Sequence, residues 1–277
     1  MHHFQNKDQA FSECKSSELK MSVKTEIKNQ TAVVTLSRPE VHNAFNDETI
    51  SALTKTFSDL DKNENIRTII LQAEGKSFCA GADLSWMKST VNFTYDENIE
   101  DGKCLAKMFK TIYECSKPVL GRVHGTAIGG GIGLVSVCDI TCALDTAKFS
   151  LSEVKIGLIP AVISPFVLEK ISLSEAKRYF LTGERFDANE AKRIGLISET
   201  ADSIENLDRK INDWVQNILS GGKEAIKICK KMIQEISSMN LNESLELTAK
   251  QIAKLRVGKE AQEGMQAFLE KRAPNWK

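Results

Sequence analysis

HGTAIGGGIGLVSVCD, residues 124–139, places glycines at 125, 129, 130, 131 and 133 ahead of an apolar run. So flexible a stretch is ordinarily a loop, yet it joins the strand-like SKPVLGRVHG to a helix-like segment. Something at that junction needs bare backbone. A dinucleotide turn of the form G-x-G-x-x-G is one use of such glycines. Counted from Gly129 its third glycine falls on Leu134, and counted from Gly131 on Ser136, so the pattern fails twice. The run also lies deep in the chain, whereas that turn follows the first strand of its domain.

An oxyanion site fits the run better. Glycine lets a carbonyl oxygen approach the main chain, and a helix opening near Gly130 offers unpaired N–H groups and partial positive charge. Such donors stabilise charge that develops on a carbonyl oxygen. One donor is rarely enough, and a second strand-to-loop junction exists. SFCAGADLSWMK, residues 77–88, follows the strand IRTIILQAE and sets Ala80, Gly81 and Ala82 side by side.

The flanking segments predict an α/β protein with crossover connections. VKTEIKNQTAVVTLSR reads as two strands turning at Asn29-Gln30. FNDETISALTKTFSDLDKN has helical spacing at Ile50, Leu53, Phe57 and Leu60, with Asp47 as its expected cap. ITCALDTAKFSL holds at least one further strand. After about residue 165 the segments all read as helices, with Gly183 and Gly195 as stops, giving an all-helical tail. Residues 1–20 are polar, without periodicity, and are expected to be a loose extension.

Composition narrows the function. The 37 Lys and Arg balance 37 Asp and Glu, which argues against a nucleic-acid binder. No apolar run approaches the ~18 residues of a membrane span. The N-terminus lacks the apolar core of a signal peptide and fits a transit peptide poorly. The seven cysteines are irregularly spaced and suggest a reduced, cytoplasmic chain rather than a disulfide framework. Cys138 and Cys142 could share a helix face, but no further ligands complete a zinc set.

FCAGADL, then HGTAIGGG with CDI, then FSLSEVKIGLIP, resembles the crotonase (enoyl-CoA hydratase/isomerase) superfamily. The resemblance runs from about Met21 to EGMQAFLEKR, and the ordered combination is far more specific than any piece. SEVKIGLIPAVISPFV is most similar to bacterial hydratases of the methylglutaconyl-CoA type. It implies a spiral of ββα turns over residues 21–205 and a helical trimerisation region over 206–277, giving a homotrimer or dimer of trimers. It also implies an acyl-CoA thioester held between the Ala82 and Gly130 amides. Ala80, Gly81, Asp83, Leu84, Gly129, Gly131 and Gly133 would line that substrate site. Neither a metal nor a redox cofactor is expected, since the amides hold the enolate.

One departure from the family matters. Two-carboxylate hydratases carry a Glu shortly after the triple glycine and another twenty residues later. Here the first position is Gly133 and the second is Glu153. Two carboxylates can hold water and deliver a proton separately, whereas Glu153 alone must do both. A double-bond isomerase needs only one base, so either reaction fits, and hydratase-type relatives with the same glycine favour hydration. An RNA-binding relative is the rival from another class, and the balanced charge speaks against it. His124 is expected to pack or hydrogen-bond, Asp139 to be structural, and Asp83 to orient its loop. Trp86 and Met87 are expected to line a pocket. Lys271 and Arg272 could reach CoA phosphates or remain solvated. Apolar stripes through Ile226, Cys229, Met232, Ile233, Leu245, Ile252 and Leu255 predict oligomerisation.

Overall fold

A computed structural model describes residues 21–276, so the extension expected over residues 1–20 lies outside the described residues. β1 (Val23–Lys28) and β2 (Thr31–Leu36) form an antiparallel hairpin. Asn29 and Gln30 make its turn at φ 45° and 66°, a left-handed pair whose twist matches that of the strands. α1 (Asp47–Lys62) then buries Ile50, Leu53, Phe57 and Leu60, the stripe its spacing predicts. Its cap is Asn46 and not Asp47. Asn46 keeps an extended backbone and its side chain accepts from the Thr49 amide at 2.9 Å, while Asp47 is already helical.

The chain then repeats one move. β3 (Thr68–Ala73) and β4 (Ser77–Cys79) are followed by α2 (Leu84–Thr90) and α3 (Tyr95–Tyr113). β5 (Val119–Val123) and β6 (Thr126–Ile128) lead into α4 (Gly130–Val137). β7 (Ile140–Leu144) and β8 (Lys148–Ser150) complete the next turn. The first strand of each pair joins a six-stranded sheet of order β1-β2-β3-β5-β7-β10, with β10 at Glu199–Ala201, and the second joins a four-stranded sheet of order β4-β6-β8-β9, with β9 at Arg185–Asp187. Within each sheet these strands run parallel, as crossover connections require. This is the expected spiral. The main core, which includes Phe45, Phe57, Phe78, Phe109 and Phe149, fills the space between the sheets and α1, α3 and α4.

The last part is less purely helical than its sequence suggests. α5 (Ser164–Lys170) and α6 (Leu173–Thr182) precede β9 (Arg185–Asp187), and α7 (Ala188–Arg193) precedes β10 (Glu199–Ala201). Each of these strands has three residues, too few to show a period, and each exists by pairing with a strand already built. Gly183 and Gly195, at φ 55° and 89°, follow α6 and α7 as stops. Cys138 ends α4 and Cys142 lies on β7, so they share no helix face.

α8 (Ile204–Ser220), α9 (Lys223–Ile236), α10 (Leu241–Arg256) and α11 (Lys259–Leu269) complete the chain. α8 seals the six-stranded sheet with Leu207, Ile211 and Val215 against Leu120 and Cys142. α9 is pinned through Lys230, which donates to the Asp139 carboxylate at 2.7 Å and the Lys117 carbonyl at 3.1 Å. Asp139 also accepts from the Val119 amide, the structural part expected of it. Among the described residues no helix is long and apolar enough to cross a membrane.

Candidate active site

β4, β6 and β8 are neighbouring parallel strands, and each ends beside one expected participant. β4 ends at Cys79 and leads to Ala82, β6 ends at Ile128 and leads to Gly130, and β8 ends at Ser150 and leads to Glu153. Strands in a sheet lie about 4.8 Å apart, so residues far apart in sequence meet along one edge. An ideal Cβ on Gly81 would stand 3.0 Å from the Ile128 carbonyl oxygen and 3.7 Å from the Gly130 nitrogen. The two glycine loops are therefore in contact.

The Ala82 loop is held from outside by residues 38–45. The Phe45 amide donates to the Gly81 carbonyl at 2.7 Å, and the Asp83 amide donates to the Phe45 carbonyl at 2.8 Å. Such a parallel bridge uses the groups on either side of Ala82, so Ala82's own N–H points away from Phe45. The Ala80 amide is engaged with the His42 carbonyl. Asn43, itself left-handed at φ 56°, donates to the Glu74 and Ser77 carbonyls and anchors the corner. Arg38 donates to Asp83 at 2.8 Å and to the Ala44 carbonyl at 2.7 Å.

Asp83 is buried and also caps α2, accepting from the Ser85 amide at 2.7 Å. Burial would raise its carboxyl, but the Ser85 amide and the Arg38 guanidinium outweigh that and hold it below the ordinary carboxylate range. Leu84, beside it, is exposed.

α4 opens at Gly130, with Gly129 at φ 54° before it. The Ile132 and Gly133 amides turn back onto the Gly129 carbonyl. The first-turn amides of Gly130 and Gly131 have no intrahelical acceptor, as at every helix start. Gly131 is packed so closely that an ideal Cβ would stand 2.3 Å from the Cys79 carbonyl oxygen. Gly133 is buried, and its side-chain space is filled. An ideal Cβ there would stand 2.4 Å from Ile163 and 2.7 Å from the Phe109 ring.

Glu153 begins a short 3-10 turn ending at Gly157. Its Oε1 stands 3.0 Å from an ideal Cβ on Gly129, so the carboxylate lies over the start of α4. Its Oε2 is buried without a hydrogen-bond partner. Desolvation raises its pKa above the usual carboxylate range, only partly opposed by a backbone N–H. A base short of hydration beside free amides is suited to taking and returning a proton.

His124 donates through Nε2 to the Gly75 carbonyl at 2.8 Å, and burial lowers its pKa. Trp86 packs against the core with its indole N–H unpartnered. Arg272 is paired with Glu263 and Glu270 of its own chain. Sequence reasoning passed over SRPEVHNAF as a connection after β2, although it supplies Arg38, Asn43 and Phe45. Pro39 and Asn43 signal a turn there, but nothing local tells which distant strand the turn will hold.

The chain matches the enoyl-CoA hydratase/isomerase family over residues 26–277. It is 30% identical over 253 residues to a crotonyl-CoA hydratase of Syntrophomonas wolfei, covering 91% of this chain and 96% of that one. An enoyl-CoA hydratase of Shewanella pealeana superposes with TM-score 0.89 at 35% identity, covering 93% and 97% of the two chains. An enoyl-CoA hydratase/isomerase of Marinobacter aquaeolei superposes with TM-score 0.88 at 32% identity over 92% and 98%.

Proposed function

This chain belongs to the enoyl-CoA hydratase/isomerase family, and from that premise we propose that it hydrates a 2-enoyl-CoA with Glu153 as its sole acid/base. The thioester oxygen accepts hydrogen bonds from the Ala82 and Gly130 amides. Glu153 removes a proton from water as the oxygen bonds to C3, and the electron pair of the double bond passes to the thioester as an enolate. The protonated Glu153 then returns its proton to C2. One carboxylate serving both carbons puts H and OH on the same face. Neither a metal nor a redox cofactor takes part. The observation that carries this reading is the desolvated Glu153 carboxylate, its Oε2 without a partner, beside Gly129 and the start of α4.

The apolar filling beside Gly133 favours a second reading. With no second carboxylate to hold water, Glu153 could instead carry a proton between C2 and C4 of a 3-enoyl-CoA. Crotonyl-CoA, 3-methylglutaconyl-CoA and a 3-enoyl-CoA separate the two. Hydration of either of the first two is expected, with the branched diacid being the substrate its resemblance suggests. Turnover of the 3-enoyl-CoA alone replaces hydratase by isomerase.

The proposal extends to assembly as a trimer or dimer of trimers. α10 and α11 expose Leu241, Leu245, Ile252, Phe268 and Leu269, and Val257 after α10 is exposed as well, apolar surface of the kind that marks contact between copies of a chain. Sedimentation is expected to give a multiple of the 30.8 kDa chain. A single monomeric boundary across the micromolar range overturns it.

A further inference from the structure

Phe45 touches both amide loops. Its main chain brackets Ala82, with Phe45 N–H on Gly81 and Phe45 C=O on Asp83, at 2.7 and 2.8 Å. Its ring lies against Gly130, where an ideal Cβ would stand 2.6 Å from Cε2 and 2.9 Å from Cδ2. The residue is 1% exposed, and its ring packs edge-on to Phe109 with centroids 6.1 Å apart. Asn43 anchors the corner just before it, and the Asn46 cap starts α1 just after it. Phe45 is thereby fixed on every side while it holds one loop by hydrogen bonds and the other by its ring.

We propose that Phe45 is a positioning residue whose ring sets the separation of the Ala82 and Gly130 amides, and so the strength with which they polarise a thioester carbonyl. The inference rests on the reading of those amides as the oxyanion donors. The physical reason is steric on one side and directional on the other. The backbone bridge keeps Ala82 at a set distance from Phe45 Cα, and the ring acts as a spacer against the first turn of α4. A smaller side chain leaves the bridge intact but lets α4 settle inward. Two hydrogen bonds aimed at one oxygen weaken steeply as their geometry departs from linear. A misplacement on the order of 1 Å can cost about 100-fold in rate.

The test uses Phe45→Leu, which keeps the backbone and most of the volume, with Phe45→Met as a second variant should the first fold poorly. Cinnamoyl-CoA is the probe, because its conjugated thioester absorbs further to the red as its carbonyl is polarised. At saturation Phe45→Leu is expected to show a smaller red shift than wild type. Its kcat should fall roughly 10- to 100-fold with KM changed by less than about threefold. Gly130→Ala should lose the shift through collision with the ring, and Gly130→Ala with Phe45→Leu should regain part of it.

An unchanged shift in both Phe45 variants, with only a lower melting temperature, reduces the ring to core packing and overturns the proposal. No red shift in wild type overturns instead the oxyanion reading on which it rests.

Discussion

Glu153→Gln should lower kcat by about 10²–10⁴-fold while leaving the affinity for a CoA ester nearly unchanged. Glutamine keeps the volume and can still hydrogen-bond, but it neither accepts the water's proton as a base nor returns it. The loss corresponds to roughly 3–5 kcal/mol of transition-state stabilisation. In wild type, activity should fall as pH drops through the Glu153 pKa, because the base must be ionised. Desolvation raises that pKa, so the fall begins above the ordinary carboxylate range, and the variant should lack this acid limb.

Stability moves the other way. A folded-state pKa raised above the unfolded value means that the folded chain ionises less readily. At neutral pH the charged Glu153 therefore costs stability, and the variant should melt no lower than wild type. Turnover by Glu153→Gln within about threefold of wild type sinks the assignment, since a group that moves the proton contributes far more.

Gly133→Glu, which installs the carboxylate found in two-carboxylate hydratases, should lower the melting temperature sharply. Its Cβ alone would stand 2.4 Å from Ile163 and 2.7 Å from Phe109, both buried. Overpacking of that kind costs about 1–3 kcal/mol, and an unpaired carboxylate in an apolar setting adds several more. Against a total stability of about 5–15 kcal/mol, that is a large share of what keeps the chain folded. Thermal melting of Gly133→Glu beside Gly133→Ala reads the two parts separately, with alanine showing only the steric cost. A glutamate variant that melts like wild type and hydrates faster would show that the site can accept a second carboxylate, contrary to the filled space around Gly133.

The spiral was legible in part because its signals are local. Alternation in Thr31–Leu36, helical spacing from Ile50 to Leu60 and the glycine stops at 183 and 195 are set by side chains within one or two turns. β9 and β10 were not legible, because three residues carry no period and exist only where an edge strand is available to pair with them. The capping of α1 by Asn46 was missed for a related reason. Asn46 and Asp47 can both cap, and the choice depends on where the chain leaves its bridge to the Ala82 loop.

By itself the sequence determined that a glycine-opened helix at Gly130 and a small-residue loop at Ala82 are available for chemistry, and its family resemblance singled out Glu153, with Gly133 where two-carboxylate hydratases carry another Glu. The first two are facts of residue type and spacing. Only the tertiary structure decided that they meet, because parallel pairing of β4, β6 and β8 brings three distant strand ends to one edge. It also decided that the space beside Gly133 is apolar and full, that Glu153 is short of hydration, and that Phe45 touches both amide loops. The reason is physical. Desolvation, steric filling and the spacing of two donors are properties of neighbours in space, and neighbours in a spiral of crossovers lie tens of residues apart in the chain.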